Sequence, residues 1–228
     1  MRTLIIALLS VSLMACGGGE APAPKAPKKT ESIFVLVENG GTISEVDQPE
    51  ALNTTINLFH QLTTLSRYRA TRDTQIHIVL SAMPNRIAWS GTASQLSAQA
   101  ADVKELLVFK NTFSDLVMAF EQIETTVKLN QPDTIRLYWI GSTIHVPFQS
   151  SEKPVEVEVP QEIPDNLALA SIADKLNTLK FMRVHADQDQ VLQAYLASLG
   201  ILKRARQGDI DFALLGEAQT KSRLNSLL

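Results

Sequence analysis

The side chains able to do chemistry in this chain of 228 residues are few and far apart. Cys16 is the single cysteine, so no internal disulfide can form and no catalytic or zinc-binding thiolate remains further along. His60, His77, His145 and His185 stand at neither helical nor hairpin ligand spacing, and they read as structural histidines. No G-x-S-x-G elbow surrounds Ser90-Gly91 or Gly141-Ser142, and neither serine has a base paired with it in sequence. Phosphate-cradling glycine patterns are absent. Asp187-Gln188-Asp189 has the carboxylate spacing of a calcium loop but lacks the other ligands and the glycine, which leaves helix capping. What remains is oxygen chemistry: an acid in Glu38-Asn39-Gly40-Gly41-Thr42, and a hydroxyl at Thr112 ahead of a helix.

Cys16 has its own context. Arg2, a short apolar run over 4–9 and a small residue before the cysteine make residues 1–15 a cleaved export signal, too short to span a bilayer. Leu13-Met14-Ala15-Cys16 also resembles the bacterial lipobox. That resemblance implies that Cys16 becomes the acylated first residue, with the membrane as a partner. Three acyl chains suffice for stable anchoring where one does not. Gly17 after the cysteine, where lipoproteins kept at the inner membrane often carry aspartate, points to the outer membrane, with the domain on its periplasmic or outer face. Residues 16–31 mix Gly, Ala, Pro and Lys without an apolar period and form a tether. At about 3.1 Å per residue it holds the domain roughly 40 Å from the membrane.

These groups need a body to position them, and roughly 200 residues suffice for one domain with a sizeable core. The formal charge is −3 with no long basic run, so nucleic acid has no electrostatic footprint to bind. The run Ile33-Phe34-Val35-Leu36-Val37 is apolar and β-branched, as a central strand covered on both faces must be. Apolar spacing predicts a helix over 49–67, strands over 74–80 and 86–90 paired as a hairpin, partly helical structure over 93–107, and a stronger helix over 113–129. Strands over 134–140 and 179–185 and helices over 166–176 and 187–199 follow, and 203–228 reads as a mostly helical tail.

This order predicts a doubly wound α/β domain over 32–202: a mostly parallel sheet with one antiparallel edge strand and helices on both faces. Its functional surface is the crest at the carboxyl ends of the strands, where the loops after Val37, near Thr112 and after Ile140 meet. The same order, with the local patterns at 38–42 and 111–116, resembles a von Willebrand factor A-type domain. In that family Asp-x-Ser-x-Ser, a threonine from a second loop and an aspartate before a glycine bind a divalent metal. The corresponding residues here are Glu38, Gly40, Thr42, Thr112 and Ile140. Glu38 is a methylene too long, Gly40 offers no side chain and Ile140 replaces a carboxylate. A hard cation needs oxygen ligands carrying charge, so the site is expected to be degenerate and to need no cofactor, with weak Mg²⁺ binding as the alternative.

Residues 150–165 form a proline-punctuated arm in which Val155, Glu156, Val157, Glu158 and Val159 alternate. Such a strand belongs at an edge and can add to a partner's sheet. Together these features predict a noncatalytic, lipid-anchored module that binds an envelope protein through the crest or the arm. A-type domains of this sort serve in secretion, conjugation and pilus machinery, an association of the fold class. The alternatives are a Mg²⁺-dependent adhesion domain and a periplasmic hydrolase.

Overall fold

The computed structural model describes residues 29–148 and 162–228. Cys16 and the Val155, Glu156, Val157, Glu158 and Val159 alternation lie outside the described residues. Strand β1 (Glu31–Val37) is buried at every position after its first, and it lies at the middle of a six-stranded sheet. Helix α1 (Gln48–Thr63) starts with proline in its first turn and buries Ala51, Leu58, Phe59 and Leu62 at helical spacing. Strands β2 (Gln75–Leu80) and β3 (Ile87–Thr92) pair antiparallel, as the hairpin reading expects. The 93–107 stretch splits into α2 (Ala93–Ala98) and α3 (Ala100–Leu106).

Helix α4 (Leu116–Asn130) begins three residues later than the apolar spacing suggests, because Asp115 caps it by accepting from the Met118 N–H at 2.9 Å. Strand β4 (Thr134–Ile140), the short α5 (Leu169–Ile172), β5 (Leu176–Val184), α6 (Asp189–Ser198) and α7 (Ile201–Gln207) follow. Leu176 opens β5 instead of closing a helix, and His185 lies just past that strand.

The stretch 203–228 corrects the reading of a helical tail. After α7 the chain turns at Gly208 and forms β6 (Asp211–Gly216), parallel to β5, before α8 (Glu217–Ser222). Ala213, Leu214 and Leu215 have helical or neutral preference, and pairing with β5 overrides it. The sheet therefore extends beyond residue 202, and among the described residues its order is β3-β2-β1-β4-β5-β6 with only β3 antiparallel.

Period-two alternation sorts side chains between two layers. Phe34, Leu36, Leu137, Trp139 and Phe181 join α4 and α6 on one face. Ile33, Val35, Val37, Tyr138 and Ile140 join α1, α2, α3 and the C-terminal Leu227 on the other. The result is a doubly wound α/β domain. No helix among the described residues is long and apolar enough to cross a membrane.

Candidate functional site

Alternation carries one residue past β1 and puts the Glu38 side chain on the Phe34/Leu36 face, beside the Trp139 indole. Glu38 is 1% exposed. Its Oε1 accepts from the Trp139 Nε1–H and from the Thr143 backbone N–H at 2.8 Å. Its Oε2 accepts from the Ser142 hydroxyl at 2.9 Å and the Thr42 hydroxyl at 3.3 Å. Neutral donors therefore occupy both oxygens, and the extra methylene of glutamate folds the carboxyl back under the crest. Burial pushes its pKa up to about 7, against the pull of the four hydrogen bonds.

Gly141 makes this fold-back possible. Its φ is +155°, and a Cβ there would sit 2.4 Å from Glu38 Cβ and Cδ. Gly40 does the same for the loops. A Cβ on Gly40 would lie 2.2 Å from the Phe113 carbonyl oxygen, and next door the Gly41 N–H donates to the Thr112 carbonyl at 2.6 Å. The missing side chain at Gly40 is thus a close backbone approach, and no serine fits in its place.

Asn39, fully buried, ties the same loops together. Its Nδ2 donates to the Val108 carbonyl at 2.8 Å and its Oδ1 accepts from the Ala82 N–H at 3.0 Å. Ser81 and Ser114 join through their hydroxyls at 2.8 Å. At the start of α4, Asp115 also accepts from the Phe148 N–H at 2.8 Å, and His145 Nδ1 accepts from the Leu116 N–H at 3.1 Å. His145 must be neutral at Nδ1 to accept, and burial holds its pKa below the usual histidine value.

The structure places Glu38, Gly40, Thr42 and Thr112 on two adjoining crest loops. Ile140 goes elsewhere: its side chain is fully buried in the α1 layer. The Thr112 hydroxyl is buried and has no hydrogen-bond partner among the described residues. Among the described residues no group of three or more His, Cys, Asp or Glu side chains converges on a point. Metal fit can be judged from the donors: among Glu38, Gly40, Thr42, Thr112 and Ile140 the one carboxylate is spent on four internal hydrogen bonds, so these residues do not fit a hard divalent ion.

Two features escape the sequence reading. Ser90 does have a base beside it, since His77 Nδ1 lies 2.7 Å from its hydroxyl across the β2–β3 pair. A register centred on Met83-Pro84 would have revealed that juxtaposition. Among the described residues His77 Nε2 has no partner to orient it, and burial drops the ring to about 4, too weak a base for general-base work near neutrality. The second feature is Arg183. It occupies a bulge in β5 with φ +66° and is 2% exposed. Its guanidinium reaches Glu217 at 3.1 Å, Glu50 at 3.3 Å and Asp47 at 3.8 Å, joining α8 to the start of α1. A left-handed arginine costs of order 1–3 kcal/mol, and nothing local in the sequence signals it.

No protein-family model matches the chain, and no curated protein matches it. Among solved structures, the pilus adhesin SpaC from Lactobacillus rhamnosus GG is similar at 14% identity with a TM-score of 0.47, over 87% of this chain and 30% of that one. This chain thus spans under a third of the adhesin's length, and a likeness that loose is silent on function.

Proposed function

We propose that the chain is a noncatalytic protein-interaction module that docks a protein partner through its crest, and that Cys16 anchors it by lipid to the bacterial envelope. The observation that carries the docking surface is an inversion of polarity. The crest's Glu38, Asn39, Ser81 and Ser114 are turned inward and buried. Val46 is 87% exposed and Val108 and Phe148 are each 56% exposed, and all three stand on crest loops. Phe148 meets Phe113 edge to face with ring centroids 4.7 Å apart, an aromatic pair held in place by the Asp115 bond to the Phe148 N–H. Apolar side chains fixed on rigid loops are the anchors that protein interfaces use.

The test is recovery of crosslinked partners from cells with the full-length protein as bait. Val46→Asp combined with Phe148→Asp is expected to lose at least about tenfold of the captured partner while leaving the melting temperature unchanged. Unchanged capture by the folded variant rejects the crest as the docking surface.

The envelope address rests on the lipobox resemblance. Cys16→Ala is expected to abolish palmitate labelling and leave an uncleaved or soluble precursor. Labelling that persists refutes acylation at Cys16.

One observation favours a second reading, in which the crest retains weak Mg²⁺ affinity: the buried Thr112 hydroxyl has no hydrogen-bond partner among the described residues. Thr42 would assist it as the only other hydroxyl of the family pattern.

A further inference from the structure

We infer that β6 is the contact strand of a homodimer, in which two copies join their sheets edge to edge across a two-fold axis. Among the described residues β6 is the last strand of the sheet, so one row of its backbone N–H and C=O groups faces away from β5. Edge strands usually carry a proline, an unpaired lysine or a bulge that discourages pairing. β6 reads Asp-Phe-Ala-Leu-Leu-Gly and has none of these. Its single charge, Asp211, is met by Lys180 at 2.9 Å within the same copy. The opposite edge is treated differently: β3 itself carries the extra residue, Ala88, in its register shift against β2, whereas the extra residue of the β5–β6 ladder, Arg183, is on β5, and Trp89 lies over Gly91 and donates to Gln99 at 2.8 Å.

Beside β6, on the side of α6 and α7, runs a groove made of two adjoining clefts of about 690 and 540 Å³ that share Leu202 and Phe212. Phe212 and Leu214 are only half-buried there. The charge along the groove selects its occupant. Asp189 lies at the end near the carboxyl terminus of β6, where Glu217 is already engaged by Arg183, and Arg206 lies at the end near its start, where Asp211 is already met by Lys180. A two-fold axis perpendicular to the sheet runs the two β6 strands antiparallel, so each copy's Asp189 end lies beside the other's Arg206 end. The same axis keeps the helical layers on matching sides, which requires paired residues of equal parity. A register centred on Ala213 satisfies this and sets each Phe212 opposite the other copy's Leu214, extending the apolar groove through both copies. None of Val46, Val108 and Phe148 lines this groove, so the pairing leaves those crest side chains free to dock.

Sedimentation velocity of the full chain tests the pairing. The expected result is a concentration-dependent dimer, weakened about tenfold in dissociation constant by Arg206→Glu and by Asp189→Arg, and restored when both changes are in one chain. With Cys16→Ser removing the only other thiol, Ala213→Cys is expected to crosslink dimers with a short bifunctional maleimide. A chain that stays monomeric at every concentration overturns the inference. So does a dimer that ignores the charge exchange or fails to crosslink at position 213. Circular dichroism melts of each variant show that folded protein is being compared.

Discussion

Gly40→Ala is expected to lower the unfolding free energy by about 3 kcal/mol, a large effect for one methyl group on a loop. The added Cβ would fall 2.2 Å from the Phe113 carbonyl oxygen and 3.0 Å from Ser114 Cβ, and the first of these is backbone that no rotamer can move. Relief requires the two crest loops to part, which would stretch the bond from the Gly41 N–H to the Thr112 carbonyl and loosen Phe113 against Phe148. Chemical denaturation measures the loss, and hydrogen exchange at Gly41 locates it. A variant as stable as the wild type would mean the loops are not packed as described. The same contact explains why serine at this position would separate the loops before it could rebuild a metal site.

Glu38 is expected to have an effect at least as large, and one that depends on pH. Glu38→Ala leaves the Trp139 Nε1–H and the Thr143 N–H buried without acceptors, and costs about 4 kcal/mol. Glu38→Gln keeps an acceptor for both, and the Ser142 and Thr42 hydroxyls can turn to accept from its amide. In the wild type, the folded-state pKa of about 7 lies above the unfolded value of 4.5. The group contributes stability that is fully present below pH 4.5 and lost as pH rises through 7, about 3 kcal/mol in all.

His77 works the other way, because its folded-state value of about 4 lies below the ordinary 6.5, so acidification from pH 6.5 to 4 destabilises the fold. The two slopes oppose each other between pH 4.5 and 6.5, so the wild type is expected to be nearly flat there. Glu38→Gln removes one slope and should show a steady loss of stability on acidification. It should also gain about 3 kcal/mol relative to the wild type between pH 4.5 and 7.5. A pH-independent difference between the two proteins would show that Glu38 is ionised throughout.

The sheet was legible because its signals are local and strong. Ile33 to Val37 has no polar residue to expose, and such a run must be central. The convergence of the loops after β1, before α4 and after β4 followed from topology alone. β6 was not legible, since Asp211, Phe212, Ala213 and the two leucines become a strand only through pairing with β5. At the crest, the residue types announced that Glu38 and Gly40 depart from a metal-binding pattern. Where the carboxyl goes instead depends on a +155° glycine and an indole 101 residues away, neither of which spacing encodes. Arg183 stayed hidden for the same reason: its left-handed backbone and three acidic partners come from elements far apart in sequence.

The inward turn of Glu38 spends its carboxyl on internal hydrogen bonds and leaves Glu38, Gly40, Thr42, Thr112 and Ile140 without a free carboxylate to hold an ion. Titration calorimetry with Mg²⁺ and Mn²⁺, run on the full chain and on Thr112→Ala, measures this directly. No saturable heat in the micromolar range for either protein is the expected result. Micromolar binding by the wild type that disappears in Thr112→Ala would contradict it, and would return the crest to metal-dependent adhesion.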